Sequence, residues 1–431
     1  MEPVKENSFE QFRNLLNFVF GNECSSFYRD KYRKAGFTPD TDFRSLEDVK
    51  KIPFSTKEEL IKEDPSRLLF VPEQEVEVVA TTSGTTTQKP LIVFYSKEHL
   101  GLSPDWWDVR MHEKKVLILM NSARIPMVNL SFRRAKLTLA GDIYNMPASC
   151  LLASRLGVNH IHTTPTLAII LKKHLAEYPD FQKNLRSFSV GGEMMSEGKR
   201  KLLKESYPGK EIFINYGMSE IGGCPALQCR YLAQREGKPL FHCRVEDCYF
   251  EIIDSETKKD VPFGEQGELV LTSFRSRATP LIRYRTGDAV SFRKNDCPCG
   301  TPGPLLEIHG RINHDIIRVG GFELRSDMLE KPITNLGSYI KDSFEAHIYE
   351  KFAGNKPKIR VVLNLSLKDG VKDSSAIRKK VEEEFLENWQ ISPRANLKKA
   401  VEAGLFEFPQ INFVSINLPA SGKTKRVLVL H

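Results

Sequence analysis

Apolar positions near the start of the chain recur at helical spacing. Phe9, Phe12, Leu15, Leu16 and Val19 fall three to four residues apart and predict a helix with one buried face. Ser55 followed by Glu58 has the form of a capping box that opens a short helix ahead of Leu60 and Ile61. Val76 to Ala80 and Leu91 to Tyr95 are β-prone runs on either side of the polar stretch Thr81 to Gln88. Strand, small polar loop, strand is the expectation there.

From about residue 115 to 215 apolar strands alternate with helical segments. Val116 to Met120, Leu185 to Val190 and Glu211 to Asn215 read as short strands, and Thr166 to Ala176 as a helix. This is the rhythm of a layered, mostly parallel α/β sheet. Between 245 and 295 the pattern turns all-β, with strands at Tyr249 to Ile253, Gly267 to Thr272 and Ala289 to Phe292. After 312 it changes again. Phe344, Ala346 and Ile348 alternate as in a half-buried strand, and Ile359 to Leu365 is a second strand. Ser374 to Trp389 is a helix with Ile377, Val381, Phe385 and Trp389 on one stripe, and Ile411 to Leu418 is a third strand. The fold class expected is therefore α/β: a large layered domain over residues 1–311 with a β-rich subdomain, and a small α+β domain over 312–431.

Composition narrows the classes without choosing one. The 431 residues are 40% hydrophobic and 27% charged, which excludes wholesale disorder and fibrous repeats. The net charge of +8 is a mild excess of 63 basic over 55 acidic residues, scattered rather than clustered with aromatics, so no nucleic-acid partner is expected. No apolar run approaches the roughly 18–20 residues of a membrane span, and Met1 to Phe12 has no leader-like apolar stretch. A cytoplasmic location with no membrane partner is expected, and the cysteines should stay reduced. Six of the eight cysteines lie between Cys224 and Cys299, an uneven spacing that reads as a metal site.

Chemistry-bearing motifs punctuate the strands. Thr81, Thr82, Ser83, Gly84, Thr85, Thr86 and Thr87 set six hydroxyls around one glycine. Such a loop offers N–H and O–H donors to phosphate oxygens, or is a plain polar turn. Gly191, Gly192 and Glu193 follow an apolar strand and permit a flat ligand to approach the backbone, or make a tight turn. Asn215, Tyr216, Gly217, Met218, Ser219 and Glu220 suit a base-stacking and Mg2+-binding corner, although Glu220 also suits a helix start. Asp288 is a natural acceptor for two ribose hydroxyls, and Arg283 and Arg311 suit phosphate or carboxylate. The Ser421 to Arg426 run is a basic cluster or a solvated tail.

Taken in order, these motifs resemble the adenylate-forming superfamily of acyl-CoA synthetases, adenylation domains and luciferases, and in detail the phenylacetate–CoA ligase family. Ser26-Phe27-Tyr28-Arg29, the Ile52 to Leu60 segment, Gly264 to Thr272 and Leu418 to Val427 are similar to that family's conserved segments. The chain departs from the pattern in three places. The 81–90 loop lacks the second glycine, Gly310 to Asp315 replaces a GRxDD step, and the stretch from Tyr95 to Gly157 is short.

The resemblance implies an ATP-dependent ligase that adenylates an aryl or acyl carboxylic acid and passes the acyl group to CoA. A carrier-protein thiol or an amine is the alternative acceptor, and a homodimer is one assembly state left open. It implies that Thr81 to Thr86 hold the ATP phosphates and that Gly191, Gly192 and Tyr216 frame adenine. Glu220 would bind Mg2+, and Asp288 would take the ribose with Arg311 beside it. Lys423, on a mobile C-terminal domain, would serve adenylation. Trp106, Trp107, Met127, His160 and His162 fall in or beside the stretch that would shape the acid pocket. The family's cysteine spacing implies a structural Zn2+ on Cys229, His242, Cys297 and Cys299, with Cys224 or Cys243 as rivals to His242.

Overall fold

The computed structural model describes residues 2–82, 91–96, 111–120, 124–193, 195, 197–312, 316–319, 322–353, 356–392, 395–416 and 426–430. The chain divides into two compact units, one of residues 1–165 with 174–312 and one of residues 166–173 with 313–431.

The first unit opens with the helix Glu2–Phe20, whose Phe12, Leu15, Leu16 and Val19 are buried as their spacing requires. A later helix, Lys57–Lys62, begins one residue later than the capping pattern predicts. Its N-cap is Thr56, which accepts from Glu59 N. Ser55 is diverted because its hydroxyl donates to the Ile282 carbonyl at 2.9 Å and its backbone bridges Tyr284. A capping box does form nearby, between Ser45 and Asp48. The strands β1 (Val76–Thr81) and β2 (Ile92–Ser96) pair antiparallel around the polar loop.

The remaining strands of this unit build one sheet. They are β3 (Lys115–Leu119), β4 (Leu137–Ala140), β5 (His160–Thr163), β6 (Ser187–Gly191), β7 (Glu211–Met218), β8 (Gly223–Leu227), β9 (Leu240–Cys243), β10 (Cys248–Ile253), β11 (Gly267–Ser273), β12 (Tyr284–Arg293) and β13 (Leu305–Arg311). Their order is β10-β11-β12-β13-β9-β8-β7-β6-β5-β3-β4. Pairing from β4 to β7 is parallel, and pairing from β7 to β10 is antiparallel. The parallel half is doubly wound. Its chain path runs outward from β3 to β4, then returns to β5 on the other side of β3. In such sheets ligands bind outside the carboxyl ends of the strands, where the path reverses.

Arg283 departs from its expected role. Its guanidinium pairs with Glu251 at 2.7 Å, donates to the Lys50 and Ile52 carbonyls and lies over the Phe54 ring. Both charged side chains are nearly inaccessible to water. Arg283 ties the N-terminal segment to the sheet, with four of its five N–H donors committed to protein acceptors.

The second unit holds a hairpin of β14 (Ile316–Val319) and β15 (Phe322–Arg325), the long antiparallel pair β16 (Ile340–Ala353) and β17 (Lys356–Leu367), and a short pair, β18 (Gln390–Ser392) and β19 (Ala395–Asn396). With β20 (Gln410–Phe413) and β21 (Arg426–Leu430), the long pair forms a sheet ordered β20-β17-β16-β21. The helix Ser375–Asn388 is capped by Ser374, and Val381 and Phe385 join Trp389, Phe344, Ala346 and Ile348 in one core. The strand expected over Ile411 to Leu418 is β20, which ends at Phe413.

Candidate active site

A cavity of about 110 Å³ opens where the parallel strands end. Met120 follows β3, His162 lies on β5, Gly191 and Gly192 close β6, and Asn215 and Gly217 lie on β7. All of these line it, as the doubly wound topology dictates. Gly191 is required by close approach, since a Cβ there would sit 2.8 Å from the Asn215 carbonyl oxygen. The Asn215 to Glu220 motif does not follow a strand as expected. It runs along the end of β7 and into the turn before β8. Glu220 is therefore a turn residue and starts no helix. Glu193 lies just past β6. The Ser219 carbonyl accepts from the Tyr95 hydroxyl, fixing the turn against β2.

Asp288 is the best-organised carboxylate of the site. It is buried on β12, and Oδ2 accepts from the Tyr216 hydroxyl at 2.5 Å while Oδ1 accepts from Arg311 Nη1 at 2.7 Å. Arg311 also donates to the Thr286 carbonyl. The strand register places Asp288 directly opposite Arg311, so the β12–β13 pairing builds the contact. Gly287, at φ +70°, bends the chain before Asp288 in a conformation that favours glycine. Burial, and then the Asp288 charge, push the Tyr216 phenol well above its ordinary pKa, so it stays a neutral donor. Burial works against the Arg311 charge, but the Asp288 carboxylate outweighs it and raises the guanidinium's pKa.

Glu220 is met from two sides. Tyr284 donates to its Oε1 at 3.4 Å, and Lys57 Nζ lies 3.6 Å from the same oxygen. Both side chains of the Lys57–Glu220 pair are largely buried. Neither Lys57 nor Tyr284 stood out as a site residue in the sequence, although each lies inside a family-like segment. Arg124, lining the cavity beside Gly192, carried no sequence signal at all.

Thr81 ends β1 exposed, and Thr82 is buried at the base of the polar loop. Thr82 Oγ1 accepts from Leu91 N at 3.1 Å and its N–H donates to the Leu91 carbonyl, so this side chain closes the loop's neck. Ser83, Gly84, Thr85 and Thr86 lie outside the described residues, as does Lys423.

A sequence model of the family described as AMP-binding enzyme matches residues 127–274. The phenylacetate-coenzyme A ligase of Thermus thermophilus is 28% identical over 347 residues, covering 76% of this chain and 75% of that protein. The enzyme of the same name from Pseudomonas putida is 24% identical over 393 residues, covering 85% and 82%. The chain is thus similar to phenylacetate-coenzyme A ligases over most of its length and carries the sequence pattern of AMP-binding enzymes in its middle third. Its fold is that of a solved 2-hydroxyisobutyryl-CoA ligase in complex with 2-HIB-AMP and CoA. That match has a TM-score of 0.74 at 19% identity, with 100% of this chain and 90% of the other covered.

The cysteine cluster lies elsewhere on the same family fold. Pairing of β9 with β13 sets His242 opposite Leu305, and the loop before β13 carries Cys297 and Cys299. Asn295 holds that loop, accepting from Cys297 N and donating to the Thr301 and Gly303 carbonyls. Cys229 caps the short helix Arg230–Gln234. One donor atom from each of Cys229, His242, Cys297 and Cys299 lies within 4.8 Å of the others. The closest approaches are 3.4 Å for Cys229–Cys297 and Cys297–Cys299, and 3.2 Å from Cys299 Sγ to His242 Nε2. Cys224 instead lines the cavity and Cys243 is buried in the core, so neither rival joins the cluster. Burial pushes the Cys297 thiol up to about 12 and His242 down to about 4. The imidazole is thereby in its ligating, neutral form at pH 7.

Among the described residues no helix is long and apolar enough to cross a membrane.

Proposed function

We propose that the protein is an ATP-dependent carboxylate–CoA ligase. In the first half-reaction a carboxylate oxygen of the acid attacks the α-phosphorus of ATP, the α–β anhydride bond breaks and pyrophosphate leaves. In the second, the CoA thiol attacks the acyl carbon, AMP leaves and the thiol proton passes to base. The observation that carries this reading is the Asp288 carboxylate, buried and held by Tyr216 and Arg311, with Tyr216 lying on β7 between the cavity-lining Asn215 and Gly217. Such a group accepts from both ribose hydroxyls of a nucleotide. Asn215 adds to it. Its buried Oδ1 has no hydrogen-bond partner among the described residues, and an adenine amino group would satisfy it. The similarity to proteins named phenylacetate-coenzyme A ligase supports CoA as the acceptor.

The Thr81 to Thr86 loop is proposed to hold the phosphates. Glu220 is a fitting Mg2+ ligand, since that ion takes one or two protein carboxylates together with substrate phosphates. Mg2+ held there would supply positive charge that offsets the charge developing as pyrophosphate departs. Lys57 and Tyr284 orient the Glu220 carboxylate. The reading is tested by acid-dependent ATP–pyrophosphate exchange across aryl and short acyl acids, followed by CoA. Exchange with some acid, then AMP and thioester in equal amounts, is expected. No exchange across the whole panel would overturn it, and adenylate without thioester would move the acceptor away from CoA.

Zn2+ on Cys229, His242, Cys297 and Cys299 is proposed as structural. Three sulfurs and one nitrogen match the ion's preferred donors, and a tetrahedral site with bonds of about 2.3 Å to sulfur spaces its sulfurs by roughly 3.7 Å. The observed spacings lie close to that. Four protein ligands leave no place for water, so the ion would cross-link the Arg230 helix, β9 and the loop before β13. Cys297→Ser should remove the metal by elemental analysis and lower the melting temperature by about 5 °C or more. Wild-type protein purified in zinc-replete medium and found free of zinc would refute the site.

A further inference from the structure

The wall of the cavity formed by β5 and β6 carries a buried polar chain that adenylation does not call for. His160 and His162 alternate on β5 and pair in register with Ser187 and Ser189 on β6. His160, Ser187 and Ser189 are fully buried and His162 almost so. Apolar residues would fill these positions at less desolvation cost, so four polar side chains here need a reason.

The hydrogen bonds have a direction. Lys114 Nζ, a donor only when charged, reaches Ser187 Oγ at 2.6 Å. Ser187 Oγ lies 2.8 Å from His160 Nδ1, and among the described residues no other side-chain partner competes for its hydroxyl proton. Ser187 therefore donates to His160 Nδ1, which leaves the His160 proton on Nε2. That N–H donates to Ser189 Oγ at 2.9 Å. The Ser189 hydroxyl in turn donates to His162 Nδ1 at 2.8 Å. The His162 proton is thus placed on Nε2. Burial holds the His162 pKa down to about 4, so at pH 7 the ring is neutral and carries that single N–H.

His162 lines the cavity, and among the described residues no protein group takes Nε2. Met111, Met120, Met127, Val128 and Phe132 make the lining largely apolar beside Arg124 and Ser131, with the Phe132 ring 5.1 Å from the imidazole. The same cavity is also lined by Gly191, Gly192 and Asn215, where the nucleotide is proposed to sit.

We infer that His162 is a specificity-determining residue that presents a fixed N–H donor to the acid substrate. The acid it selects has an apolar body bearing one hydrogen-bond acceptor, such as an ether, carbonyl or ring-nitrogen group. This rests on the ligase reading above. A site built to hydrogen-bond one substrate group discriminates strongly against an analogue that lacks it, because the site's own polar group is left unpaired. The relay through Ser189 and His160 fixes the tautomer, so His162 acts as a donor and does not select a donor-only group.

The test measures kcat/KM for pyrophosphate exchange on matched acids. Ortho, meta and para methoxyphenylacetates are compared with their ethyl counterparts, and alkoxyalkanoates with alkanoates of equal length. The wild-type enzyme should favour the acceptor-bearing member of its best pair by about tenfold or more. His162→Leu should bring that ratio to about one, and Ser189→Ala, which frees the tautomer, should lower it severalfold. ATP-induced thermal stabilisation of each variant confirms a folded nucleotide site, and Ser189→Ala carries the test alone if His162→Leu does not fold. A wild-type preference for the alkyl member in every pair, or a ratio unchanged in the variants, overturns the inference while leaving the ligase reading intact. Absence of exchange with every acid overturns that reading, and the inference falls with it.

Discussion

Asp288→Ala should raise the dissociation constant for ATP by roughly a hundredfold and lower pyrophosphate exchange at least as much. Two charge-assisted hydrogen bonds to the ribose hydroxyls would vanish together, each contributing about 1.5–3 kcal/mol. The loss is sharpened by what Asp288 does to its neighbours. Without it, the Tyr216 hydroxyl loses its acceptor and Arg311 keeps only the Thr286 carbonyl. Arg311 is partly open to water, so the direct cost to folding is discounted to about 1–2 kcal/mol. Asp288→Asn separates the two effects. Its amide oxygen accepts from one partner, but its N–H2 group faces either Tyr216 or Arg311 as a second donor, so ATP affinity should fall between wild type and Asp288→Ala. Isothermal titration with ATP and thermal unfolding of the same samples measure the two quantities. An alanine variant with normal ATP affinity and exchange would show that the ribose lies elsewhere.

The parallel core was legible because buried strands between helices leave short apolar runs, and Val116 to Met120 or Glu211 to Asn215 have no other reading. The second unit was legible where side chains alternate, at Phe344, Ala346 and Ile348, or form a helical stripe ending at Trp389. It was not legible at β14, β15, β18 and β19, because these strands are two to four residues long and carry too few alternations to register a period. Ser55 shows a different limit. Its local pattern favours a cap, but a carbonyl contributed by Ile282 outcompetes the local donor, and tertiary bonding of this kind leaves no trace in spacing. The same holds for Arg283, whose partner Glu251 sits on another strand and turns an apparent anion-binding residue into a buried strut. Motif order pointed to Asp288, Arg311 and Tyr216 but not to their mutual hydrogen bonds. Lys57 and Arg124 reach the site only through folding. The cysteine cluster was visible as crowding, and the choice of His242 over Cys224 and Cys243 required strand β9 to present one residue of the Phe241-His242-Cys243 step to the loop.

Lys423→Ala should cut adenylation by about a hundred- to a thousandfold while sparing thioester formation from supplied acyl-adenylate. The chemistry sets the size. An anionic carboxylate approaches an anionic α-phosphate, so the barrier of the first half-reaction is largely electrostatic. A lysine ammonium placed against both stabilises charge where it develops, and removal of one such donor typically costs that much in kcat. Gly422-Lys423 is the step that resembles the family's catalytic lysine, and Lys425 is the near neighbour that serves as control. β21 begins just beyond them at Arg426 and pairs in parallel with β16, so the following chain is anchored within the second unit. The second half-reaction has different demands. There the nucleophile is a thiol, the leaving group is AMP, and no pair of anions must be brought together. A lysine carried on a small domain proposed to be mobile can serve the first step and be withdrawn from the second. Pyrophosphate exchange reports the first half-reaction, and thioester formation from synthetic acyl-adenylate and CoA reports the other. Lys425→Ala should leave both within a few-fold of wild type. Equal loss of both half-reactions in a folded Lys423→Ala enzyme would make the residue structural, and an unchanged exchange rate would remove it from adenylation altogether.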